Sequence, residues 1–571
     1  MPREQKISIG QYSSPGRKAI NQDFHGALIP ERPARDLKGI AIALADGISS
    51  SKVSGVASES AVKAFLTDYY CTPASWSVKT SAQRVIAATN SWLHAQTRRG
   101  QTEIDMDKGY VCTLSVMVVK STIAHIFHVG DSRVCRLSGG SLEQLTTDHR
   151  VVISSEQTYL SRALGVNREI EIDYAAVTVR TGDVFLLTTD GVHEYSSDRF
   201  AAHALQGPMD DLDAVARGIV EDAWNQGSPD NLTVQIVRID ELPDGDLMEE
   251  LTDLPLPPLP EARQIFDGHR ILRQIHASSR SHIYLAENTK SGEIVALKLP
   301  SIDLRDQPDY LRRFMMEEWV ARRIDNAHVL KPGPSGLERN FLYTVTEFVE
   351  GQTLTQWMID HPGPDLETVR GLVEQIAKGL RAFHRMEMIH QDLRPENIMI
   401  DKTGTVKIID FGSTSVAGVV EARVASDHGE ILGTAQYTAP EYFLGEPGTA
   451  RSDIYSLGVI TYQMLTGQLP YGAQVARIRT VLDRNRLRYR QVSGDGRTIP
   501  VWIDNVLRKA VHPDPNKRYG ELSEYVYDLR HPSGISMTAS FTPMIDRNPL
   551  LFWKTVSFLL LCVIILLAIS R

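Results

Sequence analysis

Short apolar runs separated by polar and glycine-bearing turns dominate the first 240 positions. Residues 39–44 (Gly-Ile-Ala-Ile-Ala-Leu), Ile123–Val129, 184–187 and 232–237 are brief and mostly rich in β-branched or aromatic residues, which predicts strands. Residues 57–69 and 81–98 repeat their apolar positions at helical spacing and predict helices. Between 242 and 260 this pattern breaks. Prolines 243, 255, 257, 258 and 260 stand among acidic residues, which sustains neither helix nor sheet and predicts an extended linker over 241–264. A second patterned region, 265–530, opens with strand-like runs and continues with helical ones such as 366–386 and 452–466. Residues 531–549, rich in Ser, Thr and Pro, predict a tether.

The closing stretch changes the picture. Residues 550–570 are apolar except for Lys554, a length that matches the roughly 20 residues needed to cross a hydrocarbon core. With Trp553 at the interface and Lys554 snorkelling, this predicts a single C-terminal transmembrane helix. The first residues, Met1 to Lys6, carry no apolar signal region, so the folded bulk is expected on the cytoplasmic side.

Composition narrows the class. The chain has 571 residues, room for about three to four domains of ordinary size. Its 42% hydrophobic and 23% charged content is that of folded protein. A net charge of -9 with no basic stripe excludes an electrostatic case for nucleic acid as a partner. Cys71, Cys112, Cys135 and Cys562 have no C-x-x-C spacing, which predicts reduced, mostly buried thiols instead of a zinc site or disulfide framework.

Candidate chemistry in the first half lies in aspartates. Asp46, Asp190 and Asp230 stand at the end of, or just before, predicted strands, and Asp131 follows another. Carboxylates at the edges of separate strands can converge on one point, and oxygen donors without His or Cys suit Mg²⁺ or Mn²⁺. A lone Asp-Gly after a strand is ordinarily a turn. Here a series runs in order: Asn21-Gln22-Asp23, Asp46-Gly47, Val129-Gly130-Asp131-Ser132-Arg133, Thr146-Thr147-Asp148-His149, Leu160-Ser161-Arg162-Ala163-Leu164-Gly165, Thr189-Asp190-Gly191 and Pro229-Asp230-Asn231. Over 5–240 the chain resembles the PPM family of metal-dependent serine/threonine phosphatases. The resemblance implies an αββα sandwich in which Asp46, the Gly47 carbonyl, Asp190 and Asp230 hold two ions. It further implies that Asp23 holds a metal-bound water and that Asp131 serves a third metal. The expected phosphate-binding arginine is replaced by Lys18, with Arg17 adjacent, and lysine cannot grip phosphate bidentately. Ile48-Ser49-Ser50-Ser51 replaces the usual glycine-rich continuation.

The second half carries a different set. Met388-Ile389-His390-Gln391-Asp392-Leu393-Arg394-Pro395-Glu396-Asn397 is followed by Ile409-Asp410-Phe411-Gly412. Ile294-Val295-Ala296-Leu297-Lys298 precedes a predicted helix bearing Glu317, and Ala439-Pro440-Glu441 and Arg518 follow downstream. In order and type these motifs resemble the eukaryotic-like serine/threonine protein kinases over 265–530, with two lobes. The resemblance implies Asp392 as the carboxylate that receives the substrate hydroxyl proton, Asn397 and Asp410 as Mg²⁺ ligands, and Arg394 near the transferred phosphate. On the ATP side it implies Ile275, Ile283, Lys298, Glu317, Glu347 and Asp410. Thr434 is expected to face the substrate and Glu441 to pair with Arg518. His276, Ser278 and Ser281 replace three glycines of the phosphate-covering loop, and Gln391 replaces an arginine.

Together these motifs describe a multidomain α+β chain that attaches phosphate to proteins with Mg-ATP and removes it with Mn²⁺ or Mg²⁺. Expected partners are protein substrates and phosphoproteins, this chain included, and a membrane. Two alternatives stay open: a phosphatase regulated by a nucleotide-binding pseudokinase, and a scaffold with both centres silent.

Overall fold

The structure is a computed structural model. It describes residues 5–99, 108–154, 157–207, 210–243, 254–278, 280–304, 307–334, 339–421, 436–492, 499–532 and 552–557. It divides into two units, one of residues 1–354 and 378–434, the other of 355–377 and 435–571.

The first unit opens with β1 (Lys6–Ser14), β2 (Phe24–Leu28), α1 (Ala34–Lys38), β3 (Ile40–Ala45), α2 (Ser54–Cys71) and α3 (Val78–Arg99). Seven strands follow: β4 (Leu114–Lys120), β5 (Ile123–Val129), β6 (Arg133–Ser138), β7 (Ser141–Gln144), β8 (Arg150–Ser154), β9 (Gln157–Leu160) and β10 (Asp173–Thr178). Then come β11 (Val184–Thr188), α4 (Asp190–His193), α5 (Asp198–Ala204), α6 (Leu212–Asn225) and β12 (Leu232–Glu241). Ten of the strands form two five-stranded antiparallel sheets, β1-β12-β11-β6-β7 and β10-β5-β4-β3-β2.

Strand β3 shows why the sheets stack. Its sequence alternates large and small, and successive side chains of a strand point to opposite faces. Ile40, Ile42 and Leu44 enter a core with Phe185, Leu187, Val237 and Ile239 of the other sheet. Ala41, Ala43 and Ala45 face α2 and α3, packing on Ala57, Ala61, Phe65, Ala82 and Ile86. On the opposite side Leu186, Val234 and Ile236 pack on Ala216, Ile219 and Val220 of α6. The layers are helix, sheet, sheet, helix, as expected.

Helix α2 begins three residues before the predicted start. Its first turn is Ser54-Gly55-Val56, anchored by the buried Ser54 hydroxyl donating to Ser51 O at 3.0 Å, so no apolar period marks it. Strand β12 runs to Glu241 because β1 pairs along its whole length. Cys112 and Cys135 are buried, but Cys71, at the last position of α2, is exposed. Of the expected linker, 255–260 has neither helix nor strand, and 244–253 lies outside the described residues.

The unit continues with β13 (Ile265–Phe266), β14 (His269–Ala277), β15 (Ser281–Asn288), β16 (Ile294–Pro300), α7 (Pro308–Ala321) and β17 (Thr344–Glu347). Strands β13 to β17 form one antiparallel sheet in chain order, cored by Ile271, Ala286, Leu297 and Val345. After β18 (Gly351–Thr353), the chain forms α8 (Leu354–Asp360) and α9 (Leu366–Arg385). Next are β19 (Met388–Ile389), β20 (Ile398–Asp401), β21 (Val406–Ile408), β22 (Ser415–Val416) and α10 (Ala417–Val420). The second unit holds α11 (Ala450–Thr466), α12 (Val481–Asn485), α13 (Val501–Ala510) and α14 (Leu522–Arg530).

No helix among the described residues is long and apolar enough to cross a membrane. Of the expected span 550–570, only 552–557 falls within them, and the expected tether lies almost wholly outside.

In the second unit the expected Glu441–Arg518 pair forms, and it is buried. The guanidinium donates to Glu441 Oε1 and Oε2, both at 2.7 Å. Its remaining N–H groups reach His512 O at 2.7 Å and Arg451 O and Pro513 O at 3.1 Å. Every donor is thus satisfied, the condition under which a buried ion pair is tolerable. Removing one partner strands the other charge. Arg518→Ala is expected to destabilise the second unit by about 3–5 kcal/mol in urea denaturation. Arg518→Lys should restore only part of this, because an ammonium has three donors for five acceptors.

Candidate active sites

The antiparallel order places five carboxylates at one end of the sandwich. Strand β3 ends before Asp46, β5 before Gly130-Asp131, and β11 before Asp190; β2 begins after Asp23 and β12 after Asp230. Chain ends of β3 and β5 and chain starts of β2 share one sheet edge, and the facing sheet brings β11 and β12 to it. Carboxylate oxygens of Asp46, Asp131 and Asp190 lie within 4.8 Å of one another. Gly47 follows Asp46, and a Cβ there would stand 2.8 Å from Gln22 O and Ser54 O, so the chain passes only without a side chain.

Asp23 is buried, and its Oδ2 accepts from Thr233 Oγ1 at 2.7 Å and Thr189 Oγ1 at 3.0 Å. Its Oδ1 and that of Asp190 are buried with no donor among the described residues. Burial pushes Asp23 up to about 6 against its threonine hydrogen bonds. Burial, then the charges of Asp131 and Asp230, pushes Asp190 up to about 7. Burial and four neighbouring aspartates raise Asp46 well above the usual carboxylate range. Uncompensated negative charge with buried oxygens free to coordinate fits hard divalent cations.

Two basic side chains offset part of that charge. Lys18 forms an ion pair with Asp230 and donates to Ser49 Oγ at 2.5 Å. Arg17 turns away: it donates to Gly227 O at 2.7 Å, beyond the C-terminus of α6, and lies over the Trp224 ring. Of the two phosphate-binding candidates, the fold brings Lys18 to the carboxylates and takes Arg17 to a helix end. Arg150, which nothing in the motif order singled out, donates to Asp131 Oδ2 at 2.5 Å and Asp190 Oδ2 at 2.8 Å and pairs with Glu194. The role of Arg150 follows only from strand pairing, which brings it to the cluster.

The second constellation also lies in the first unit. Lys298, on β16, donates to Glu317 on α7 at 2.5 Å and stands 3.9 Å from Asp410 Oδ1. Burial opposes charge on Lys298, but Asp410 and Glu317 outweigh it and hold the ammonium above its ordinary range. Lys298 in turn holds Asp410 below the usual carboxylate range. Phe411 is fully buried, its ring 5.3 Å from that of Phe383 and 6.3 Å from that of His390. Asn397 Nδ2 donates to Asp392 O at 2.9 Å and to Asp392 Oδ2 at 3.2 Å, and Arg394 Nε lies 3.7 Å from the same oxygen. Burial raises Asp392, with Arg394 partly opposing. Gln391 and Asp410 both take positive φ, 67° and 66°, a conformation that costs non-glycine residues about 1–3 kcal/mol and persists only when surroundings over-determine it.

Ile283 is the cross-strand neighbour of Lys298, and Ile275 sits at a bulge of β14. The Glu347 carboxylate is taken by Lys407 at 2.7 Å and by the Lys331 amide at 2.8 Å. At the glycine-poor turn, Ser278 replaces backbone freedom with side-chain bonding. Its Oγ accepts from the amides of Arg280 at 3.2 Å and Ser281 at 3.1 Å. Thr434 lies outside the described residues.

Comparison with known proteins finds two domain families along the chain. Residues 11–235 match the family model described as protein phosphatase 2C, and 270–528 match the protein kinase domain. The chain is similar to the serine/threonine-protein kinase PrkC of Bacillus subtilis, 28% identical over 47% of this chain and 41% of the relative. It is similar to PknA of Corynebacterium glutamicum, 36% identical over 34% of this chain and 41% of the relative. It thus spans about two fifths of the length of these relatives. Among solved structures it aligns with PppA of Pseudomonas aeruginosa at 26% identity, covering 41% of this chain and 97% of that one, TM-score 0.35. It also aligns with the PknI kinase domain of Mycobacterium tuberculosis at 23% identity, covering 48% and 100%, TM-score 0.39. The chain carries a PP2C-type protein phosphatase domain and a serine/threonine protein kinase domain.

The anchoring of Asp23 is open to direct test. Thr233→Val removes one of its two hydroxyl donors and leaves a buried acceptor under-satisfied, which costs about 1–3 kcal/mol. Denaturant melts of the N-terminal half should show a loss of that size, and a larger one when Thr189→Val is added.

Proposed function

We propose that this chain is a bifunctional enzyme of reversible protein phosphorylation. Residues 5–240 would hydrolyse phosphoserine and phosphothreonine, and residues 265–530 would form them from ATP. Residues 550–570 would anchor the chain in a membrane, with both catalytic domains on the cytoplasmic side. The observation that supports this reading is that the carboxylates of Asp46, Asp131 and Asp190 gather within 4.8 Å of one another at one end of the sandwich, while Lys298 pairs with Glu317 beside Asp410 in the other half.

In the phosphatase, Asp46, the Gly47 carbonyl, Asp190 and Asp230 would hold two Mn²⁺ or Mg²⁺ ions, and Asp131 would offer a third position. Bound there, the ions supply a water of lowered pKa and positive charge for the phosphoryl oxygens. Asp23, fixed by Thr189 and Thr233, would orient a water there. Lys18 supplies a point charge for the incoming phosphate.

In the kinase, Asp392 is held by Asn397 where it can accept the proton of a substrate hydroxyl as that oxygen attacks the γ-phosphorus. Lys298, held by Glu317, faces the nucleotide phosphates, and Asn397 and Asp410 offer oxygens to the Mg²⁺ of Mg-ATP. A closed Lys–Glu pair with the following aspartate in place is what phosphoryl transfer by this class of enzyme requires. Arg394 keeps a positive charge beside Asp392. The products are a phosphoester and ADP.

One observation favours a second reading, a pseudokinase that regulates the phosphatase. The amides of Ser278, Arg280 and Ser281 are already bonded within the hairpin, to Ser281 O or Ser278 Oγ, and so are not free for ATP phosphates. Kinetics separate the two. Asp392→Asn is expected to lower kcat by orders of magnitude with ATP binding nearly intact, against a wild type whose KM for ATP is high. Negligible transfer by both proteins on many substrates would favour the pseudokinase.

For the phosphatase, Asp190→Asn should nearly abolish hydrolysis and weaken the Mn²⁺-induced rise in melting temperature, since it removes ligand charge. Hydrolysis that persists in excess chelator would overturn the metal reading. For the anchor, the intact chain should sediment with membranes until detergent is added, and truncation after Arg530 should release a soluble protein with both activities.

A further inference from the structure

The phosphatase sandwich and the start of the kinase's activation segment are joined within the first unit by a set of polar contacts, most of them partly buried, that neither candidate centre uses. The 22-residue helix α3 begins at Val78, and the first amides of a helix have no partner inside it. Here Ser77 Oγ caps the Thr80 amide at 3.2 Å, and carboxylates from more than 300 positions away take the two amides before it that start the helix. The Ser77 amide donates to Glu387 Oε2 at 2.7 Å, and the Val78 amide donates to Glu421 Oε2 at 2.8 Å. Thr80 Oγ1 donates to the other Glu387 oxygen at 2.6 Å, and Trp76 Nε1 donates to Arg385 O at 3.0 Å. Negative charge at a helix N-terminus is favourable on dipole grounds as well.

Lysine 120, the last residue of β4, completes the site. Its side chain is 1% exposed and donates to Gly418 O at 2.6 Å, with Glu421 Oε2 at 3.3 Å. A buried ammonium is costly unless paired and hydrogen-bonded, and both partners come from α10 and the residue after it. The Gly418 amide returns a bond to Ser75 O at 2.8 Å. A Cβ on Gly418 would stand 2.5 Å from Ala74 O and 2.8 Å from Trp76 O, so the contact tolerates only glycine. Gly418 lies six residues after Gly412, and the intervening chain is tied to the catalytic loop: β22 pairs with β19, and the Ala417 amide donates to Glu387 O at 3.1 Å.

We propose that the N-terminus of α3 with Lys120 is a docking site, on the phosphatase domain, for Gly418–Glu421 of the kinase domain. Through it the phosphatase holds the start of the activation segment, and with it the arrangement of Asp410 and Phe411. These are positioning residues, and they touch neither substrate. The effect on phosphate transfer rests on the kinase reading above, whereas the docking itself does not.

The test uses the full chain in detergent and two variants, Gly418→Val, which wedges the contact from the kinase side, and Lys120→Met, which removes the buried charge from the other. Hydrogen exchange is measured first, since it needs no activity. In Gly418→Val, exchange at Ser77 and Val78 and through 415–421 should accelerate by about tenfold or more, while sandwich strands such as β3 and β12 keep their protection. Unchanged exchange at Ser77 and Val78 in both variants would overturn the docking. In the same preparations kcat for transfer should fall several-fold with KM for ATP unchanged, and hydrolysis of p-nitrophenyl phosphate should stay at the wild-type rate. Faster transfer in the variants would overturn the supporting role, because the contact would then be a brake. A wild type that transfers no phosphate would overturn the kinase reading alone, since the exchange data would still decide the docking.

Discussion

Negative charge gathered into a small, poorly solvated volume is the constraint around which the end of the sandwich is arranged. Chemistry on phosphate needs cations, and cations are held by carboxylates, which repel one another when brought together. At the sandwich end Asp23, Asp46, Asp131, Asp190 and Asp230 share one site, and burial with mutual repulsion raises three of them clearly. In the kinase half the acids are matched by cations: Lys298 stands by Glu317 and Asp410 and holds Asp410 below the usual carboxylate range, and Arg394 lies beside Asp392. At the sandwich end the repulsion opposes folding, so the surrounding scaffold has to supply the positioning force.

That scaffold is apolar and regular. The alternation along β3 sends large side chains between the sheets and alanines toward the helices. The strand therefore cannot slip by one residue without exchanging the two faces. Register fixed in this way fixes where each strand ends, and the aspartates stand at those ends. Threonine hydroxyls then hold Asp23, and Lys18 and Arg150 partly offset the cluster. In the second unit the same principle appears without catalysis: Glu441 and Arg518 are buried because every guanidinium donor finds an acceptor.

The contact between α3 and the Glu387 and Glu421 carboxylates ties local helix physics to long-range organisation. Ser77 caps α3 locally, its Oγ accepting from the Thr80 amide at 3.2 Å, but the Ser77 and Val78 amides take carboxylate acceptors that lie more than 300 positions away. Placing those acids on the two stretches that flank the catalytic loop and the Asp410 turn makes a structural need of one domain a constraint on the other.

Much of this was legible in the residues themselves. Strand-length apolar runs, the helical period of α2 and α3, and the proline-rich break all follow from local patterning, because side-chain direction repeats every two residues in a strand and every 3.6 in a helix. The ordered aspartates, and the series Lys298, Glu317, Asp392, Asn397 and Asp410, were visible because their chemistry restricts residue type. The geometry that separates neighbours was not. Arg17 and Lys18 are adjacent and alike in charge, yet one reaches Trp224 and Gly227 while the other pairs with Asp230. Arg150 carries no motif, and its place between Asp131 and Asp190 exists only once the strands have paired. Nor did any spacing connect Val78 to Glu421. The sequence by itself determined which elements form and which acidic and basic side chains stand at their ends, since both depend on local covalent structure. Only the tertiary structure decided which charges meet, because electrostatic partnership depends on distance in space, and that is set by register and packing across hundreds of residues.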